Sequence, residues 1–233
     1  EFEERIRNSL IDENIKFKKI FSYSSPTRLV IHVIGVVDKI KISSKVIKGP
    51  KVGVIEDILN NFLRSNNASK KTLFKKKIDK GEFYFIKTLP KELFAKDLLI
   101  KILLNIISSF KWKKSMKWSN HSMIWGRPLR SILAVYNNNR LSFNFGHLRS
   151  SENVIIEKDL SIKIKKVKNF KDYENFLKKN SIFFNQKERE QKIIKKLEQI
   201  CKSRNYNNSF NNRLIEEVTN IVEDPHVLLL EFD

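Results

Sequence analysis

A single cysteine, Cys201, in 233 residues rules out an internal disulfide framework. Such sparing use of thiols fits a reducing, cytoplasmic compartment, and the place of Cys201 in an apolar helix stripe marks it as a small core residue. Glycine is also scarce, with six in the chain. The segment Gly49-Pro-Lys-Val-Gly53 lacks the Gly-Lys-Ser/Thr end that cradles phosphates, and no Gly-x-Ser-x-Gly nucleophile elbow occurs. The four histidines, His32, His121, His147 and His226, are far apart, and none sits at ligand spacing from another histidine or from the cysteine. That argues against a zinc site, and His32, inside a predicted strand, is expected to be a satisfied core residue. Long apolar runs are missing too. Leu93 to Ile107 is interrupted by Lys96, Asp97 and Lys101 and is shorter than the roughly 18 apolar residues a membrane span needs. With no signal peptide either, the sequence predicts a soluble chain without a membrane partner. Carboxylates are in the minority. The pairs Glu3-Glu4 and Glu216-Glu217 are expected in first turns of helices, where the dipole favours them, rather than in acid–base catalysis. No catalytic residue, metal ligand or bound cofactor is assigned.

What remains is a strongly basic, phenylalanine-rich chain. It has 46 Lys and Arg against 26 Asp and Glu, a formal charge of +20, and 17 Phe to supply core volume. Such a field attracts polyanions, although solvated lysines in a compositionally biased sequence would give the same number. The predicted class is mixed α+β, with short strands and hairpins packed on amphipathic helices and a helix-rich last third. Residues 1–19 read as a helix carrying Phe2, Ile6 and Leu10, ending before a Ser-rich turn at Ser22 to Pro26. Arg28 to Ile42 reads as one long or two short strands broken at Gly35. Val54 to Leu63 is predicted as a helix, then a hairpin of Leu73–Ile78 and Glu82–Leu89 around Asp79-Lys80-Gly81. Pro90 is expected to open a helix to Phe110, and Pro128 another to Tyr136 ended by Asn137 to Asn139. Leu141–Phe145 and Ser161–Val167 read as strands and Phe170–Lys178 as a helix. Asn185-Gln-Lys-Glu188 looks like a capping box before a helix with Ile193, Ile194, Leu197, Ile200 and Cys201 on one face. Leu214, Ile215, Val218, Ile221 and Val222 repeat the helical spacing before Pro225, and Val227–Phe232 reads as a strand. Two regions are expected, 1–168 and a helix-rich 169–233. Both ends look cut, as in a fragment or truncated product.

The most distinctive stretch is Lys114-Ser-Met-Lys-Trp118, followed by Trp125-Gly-Arg-Pro-Leu-Arg130. Lys114 and Lys117 can meet phosphates as point charges, and Arg127 and Arg130 can grip them bidentately. Trp118 and Trp125 offer flat faces for stacking, worth about 1–3 kcal/mol per base. Arg127 and Arg130 would share a helix face. A helix whose tryptophans anchor it to the core and whose arginines are solvated remains open beside this.

These segments resemble, in order, the beta chain of bacterial two-subunit glycyl-tRNA synthetase. Ser25-Pro-Thr-Arg-Leu29 before Val30 to Val33 is similar to the family's Thr-Pro-Arg-Arg-Leu segment and strand. Lys48-Gly-Pro50, Lys80-Gly-Glu-Phe-Tyr84, Lys114 to Trp118 and Trp125 to Ser131 follow. Lys171-Asp-Tyr173, Gln186-Lys-Glu-Arg189, Leu214 to Val218 and Glu223-Asp-Pro225 complete the order. Lys117 stands where the family usually has Arg, Gly126 where it has a larger residue, and Ser131 where it has Trp. The resemblance implies an assembly of two alpha and two beta chains that joins glycine to tRNA(Gly), with ATP and Mg used by the holoenzyme and the catalytic centre in alpha. The beta chain is expected to bind and position tRNA. Arg28, Lys114, Lys117, Trp118, Arg127 and Arg130 are the expected contacts to RNA or to the partner subunit. A non-specific RNA-binding module and a purely structural interface fragment are the alternatives.

Overall fold

In this computed structural model, described over residues 1–42, 44–78, 81–88, 90–117, 123–158, 160–207 and 209–230, the α+β class holds. The helices are α1 (Phe2–Asp12), α2 (Glu56–Ser65), α3 (Ala95–Ser108), α4 (Phe170–Lys179), α5 (Gln186–Arg204) and α6 (Asn212–Ile221). The strands are β1 (Lys19–Ser25), β2 (Arg28–Ile34), β3 (Lys39–Ile42), β4 (Val46–Lys51), β5 (Leu73–Ile78), β6 (Gly81–Lys87), β7 (Lys91–Phe94), β8 (Val135–Tyr136), β9 (Asn139–Arg140), β10 (Asn144–Phe145), β11 (Leu148–Arg149), β12 (Asn153–Lys158) and β13 (Ser161–Lys166). They gather into two units, one of residues 1–36 with 96–233 and one of residues 37–95. The sequence boundary at 168 falls inside the first unit.

In the larger unit, α1 buries Ile6 and Leu10, four residues apart on one face. It stops at Asp12 rather than continuing to residue 19, and Asn14 takes a left-handed backbone that a helix cannot propagate. The chain then forms the hairpin of β1 and β2, turning at Pro26-Thr27 with Ser25 opposite Arg28, so Ser22 to Ser25 are strand rather than turn. A second hairpin, β12 with β13, buries Val154 and Ile156 with Val167, just past β13, against Tyr173, Leu177, Ile182 and Phe184. Tyr23, Val30 and Phe170 pack on this core, and His32, half-buried rather than in the core, stacks on Phe170 at 3.8 Å and 7°. Asn169 caps α4 by accepting from Asp172 N. A neighbouring cluster sets Ala134, Leu141 and Phe143 against Leu99, Leu103 and Ile107 of α3.

One expected helix, and the first residues of another, are replaced by extended chain. Residues 128–134 are not helical, and Ala134 N donates to Ser151 O while Ser151 N donates to Ile132 O. Ile132 and Ala134 point inward while Ser131 and Leu133 are exposed, a period of two that pairing with residue 151 selects over the helical one. Asn137 and Asn138, both at positive φ, form the turn between β8 and β9 instead of ending a helix. Likewise Lys91–Phe94 pairs with β3, so α3 starts at Ala95 rather than after Pro90. Glu216 and Glu217 lie inside α6, beyond its first turn. Asn185 caps α5 through Lys187 N, while Glu188 faces Lys178 at 3.6 Å instead of closing a box. Residues 227–230 form no strand. Asp79, Lys80, Leu89, His121 and residues 231–233 lie outside the described residues.

The smaller unit is a three-stranded antiparallel sheet in the order β4-β6-β5, with α2 against β4 and the pair β3-β7. Gly49 is required by the helix, since a Cβ there would come within 2.6 Å of the Phe62 ring. Leu63 and Ile86 are buried, whereas Ile55, just before α2, and Ile58 are 73% and 50% exposed.

Leu177 has no exposed surface and Ile164 on β13 is 61% exposed. Urea unfolding is therefore expected to show a loss of about 2–5 kcal/mol for Leu177→Ala and a change within about 0.5 kcal/mol for Ile164→Ala.

Candidate nucleic-acid interface

The basic segment after α3 is held from behind by aromatic packing. Met116 and Trp125 form an antiparallel bridge, with backbone N–H···O bonds of 2.9 and 3.2 Å. Trp125 is 9% exposed, 5.0 Å from the Trp112 ring and edge-on to Phe110 and Phe145. It is an anchor, so the expectation that its face is open for stacking is corrected. The bend at Gly126 brings the backbone under Trp112, where a Cβ would lie 2.8 Å from Cε3. Glycine at 126 thus matches the space Trp112 fills. Nε1 of Trp112 is buried with no acceptor among the described residues.

On this frame Lys114, Lys117 and Arg127 are exposed and form no ion pair among the described residues. Arg130 is exposed too, and its guanidinium pairs with Glu157 of β12. Arg127 and Arg130 do not share a helix face, because the chain between them is not helical. Trp118 lies outside the described residues. Met116 and Ile124, 48% and 53% exposed, put apolar surface beside the cations.

Arg28 sits elsewhere in the same unit. Its Nη1 donates to both carboxylate oxygens of Glu223 at 3.0 Å and to Thr27 Oγ1 at 2.6 Å, and its Nη2 donates to Ile155 O at 3.1 Å. Ser25 and Thr27 hydroxyls also donate to Glu223. Next to this set, Arg189 is fully buried. Its Nε donates to Thr219 O at 3.0 Å, Nη1 to Phe183 O at 2.7 Å and Nη2 to Ser24 O at 3.0 Å. Asp224 accepts from Lys158 at 3.1 Å and Lys192 at 3.0 Å and lies 3.2 Å from His226 Nε2. These residues join the β1–β2 hairpin, the β12–β13 hairpin and the α5–α6 pair. The sequence signal for them was present: Arg189 stands four residues before buried Ile193 on α5, where a long cation on an apolar stripe needs internal acceptors.

Burial pushes the Glu223 carboxyl up, but the Ser25 and Thr27 hydrogen bonds and the Arg28 guanidinium outweigh it and hold the group below the ordinary carboxylate value. At Asp224 burial again opposes, and hydrogen bonds from Lys192, His226 and Lys158 bring it down to about 2. Among the described residues no group of three His, Cys, Asp or Glu side chains could hold a metal ion, and no helix is long and apolar enough to cross a membrane.

The whole chain, residues 1–233, matches the family profile described as glycyl-tRNA synthetase beta subunit. It is 32% identical over 220 residues to the glycine–tRNA ligase beta subunit of Rickettsia canadensis (strain McKiel), covering 94% of this chain and 33% of the relative. The corresponding proteins of Rickettsia felis and Rickettsia prowazekii are also 32% identical, over 96% and 97% of this chain and 34% of each relative. The chain therefore spans about a third of the length of the curated relatives it matches.

Because both carboxyls titrate lower in the folded chain than in the unfolded one, their stabilisation is complete above the unfolded values of 4.5 and 3.8 and fades as pH falls through their lowered folded values, about 2 for Asp224. Thermal melts from pH 7 to pH 2 are expected to lose stability across that window. A Glu223→Gln, Asp224→Asn variant starts lower at pH 7 and shows a shallower decline, and parallel curves would contradict the assignment.

Proposed function

The chain belongs to the glycyl-tRNA synthetase beta subunit family, and from that premise we propose that it forms the tRNA-handling part of a glycine–tRNA ligase beta subunit. In this role it binds and positions tRNA(Gly) while an alpha subunit carries out ATP-dependent glycylation, in a cytoplasmic assembly of two alpha and two beta chains. ATP and Mg serve the alpha chain's chemistry, and this chain alone does not glycylate. The observation that supports the proposal is the set of exposed cations Lys114, Lys117 and Arg127, without carboxylate partners among the described residues, on a segment fixed by Trp112 and Trp125. A phosphate backbone supplies the counter-charge such a segment lacks. Trp118 supplies stacking and Arg130 a further cation. Arg28 takes part by holding the β1–β2 hairpin to Glu223.

A second reading places the same segment at the alpha–beta interface, favoured by the exposed Met116 and Ile124 among the cations. Titration of the chain and of a Lys114→Gln, Lys117→Gln, Arg127→Gln variant with tRNA(Gly), a non-cognate tRNA and a plain RNA duplex at several salt concentrations separates the two. The proposal expects a preference for tRNA(Gly) that persists at higher salt, and a salt slope reduced in the variant by about 2–3. Equal binding to all three RNAs that vanishes with salt would leave a generic field only. Unchanged tRNA affinity together with lost binding of the alpha chain would move the segment to the subunit interface.

A further inference from the structure

The smaller unit carries a basic and aromatic surface of its own that the cations of residues 114–130 do not explain. Between residues 37 and 95, Lys and Arg outnumber Asp and Glu by more than two to one. The sheet register sorts these residues by face, because directly paired residues in an antiparallel ladder lie on the same side. Phe74 of β5 pairs with Phe85 of β6, which pairs with Lys48 of β4. In the next rung Lys76 pairs with Phe83, and along β6 Phe83, Phe85 and Lys87 alternate onto this same side. The other side holds Ile47, Leu73 and buried Ile86, with Lys75, Tyr84, Lys77 and Glu82 farther along it, and α2 is reached through Gly49. One face thus presents three phenylalanines interleaved with four lysines, Lys51 pairing with Phe83 past the irregularity in β4, beside Val46 and with no carboxylate from these strands.

The geometry of this face suits unpaired bases. Phe74 is 40% exposed and stacks on buried Phe85 at 5.8 Å and 24°, so its ring is supported from one side and wet on the other. The Lys48 ammonium lies 3.8 Å from the Phe83 centroid, and Lys48, Lys76 and Lys87 form no ion pair among the described residues. A cleft of about 510 Å³ opens at the end of the same strands, lined by Ser44, Thr72, Lys87, Thr88 and Pro90. Thr72 precedes Phe74 by two residues and Lys87 follows Phe85 by two. An acidic peptide would satisfy the lysines but leave a supported flat ring and the cleft beside it without a role. A single-stranded nucleic acid uses all of them, through stacking, insertion of a base and phosphate contacts.

We propose that this face, centred on Phe74 with Lys48, Lys76 and Lys87, is a docking site for an unpaired stretch of RNA, distinct from the segment at 114–130. It rests on the assignment of the chain to RNA handling. One base stacks on Phe74, its neighbour enters the cleft, and the lysines meet the intervening phosphates.

Fluorescence anisotropy of the full chain with labelled decameric oligocytidylate, a duplex RNA of equal length and polyglutamate of matched charge tests this. Oligocytidylate is expected to bind more tightly than either control. Phe74→Ala and Phe74→Leu both weaken it about tenfold with an unchanged salt slope, Leu keeping the contact with Phe85 that a purely structural role would need. Replacing Lys48, Lys76 and Lys87 by Gln lowers the slope by about 2. Oligocytidylate affinity indifferent to both Phe74 variants would overturn the proposal, as would polyglutamate binding equally well. If Phe74 matters here while tRNA(Gly) shows no preference over other RNAs, the tRNA assignment fails alone. If tRNA(Gly) is preferred and Phe74 is silent, this site fails alone.

Discussion

Glu223 is the point on which the larger unit turns. Its carboxylate faces Ser25, Thr27 and Arg28 on one hairpin, and its carbonyl accepts from Phe183 N at 2.9 Å. Arg189 ties the carbonyls of Ser24, Phe183 and Thr219 together. A polar set this buried is stabilising only if nearly every donor and acceptor is used, because a lone buried charge is costly. Here the partners come from segments separated by more than 160 residues in the chain, so the helical last third is bonded directly to the first hairpin.

That arrangement divides the cations by task. Arg28 and Arg189 are held inside the fold, and Lys158 and Lys192 meet Asp224. Lys114, Lys117 and Arg127 stay outside on a strip whose position is set by aromatic packing rather than by charge. Removing the exposed ones leaves the core intact, whereas removing the inner ones exposes unpaired carbonyls and carboxylates. A net charge of +20 is therefore not a uniform property of the surface.

Much of the fold was legible where one period dominated locally. β2 and β3 broken at Gly35, the β5–β6 hairpin, α4, α5 and α6 all follow from apolar spacing and caps. Residues 128–136 and 90–94 misled because Pro-led apolar stretches fit helix and strand alike, and distant partners at Ser151 and in β3 decided the outcome. Trp125 could not be assigned from composition, since a tryptophan beside arginines suits a core anchor as well as a stacking platform. The family motifs around Arg189 and Glu223 were visible in order, yet what joins them is a contact over long separation that no local pattern encodes. The Phe74 face depends in the same way on which residues of three strands share a side.

The most direct test of this account is a double-mutant cycle between Arg28→Met and Glu223→Gln, followed by urea unfolding at neutral pH. If the pair joins the first hairpin to the end of α6, the two changes together cost less than the sum of each alone, with a coupling of about 1–3 kcal/mol. Additivity within about 0.5 kcal/mol would mean that the two side chains act independently and that this pair does not join the first hairpin to the end of α6.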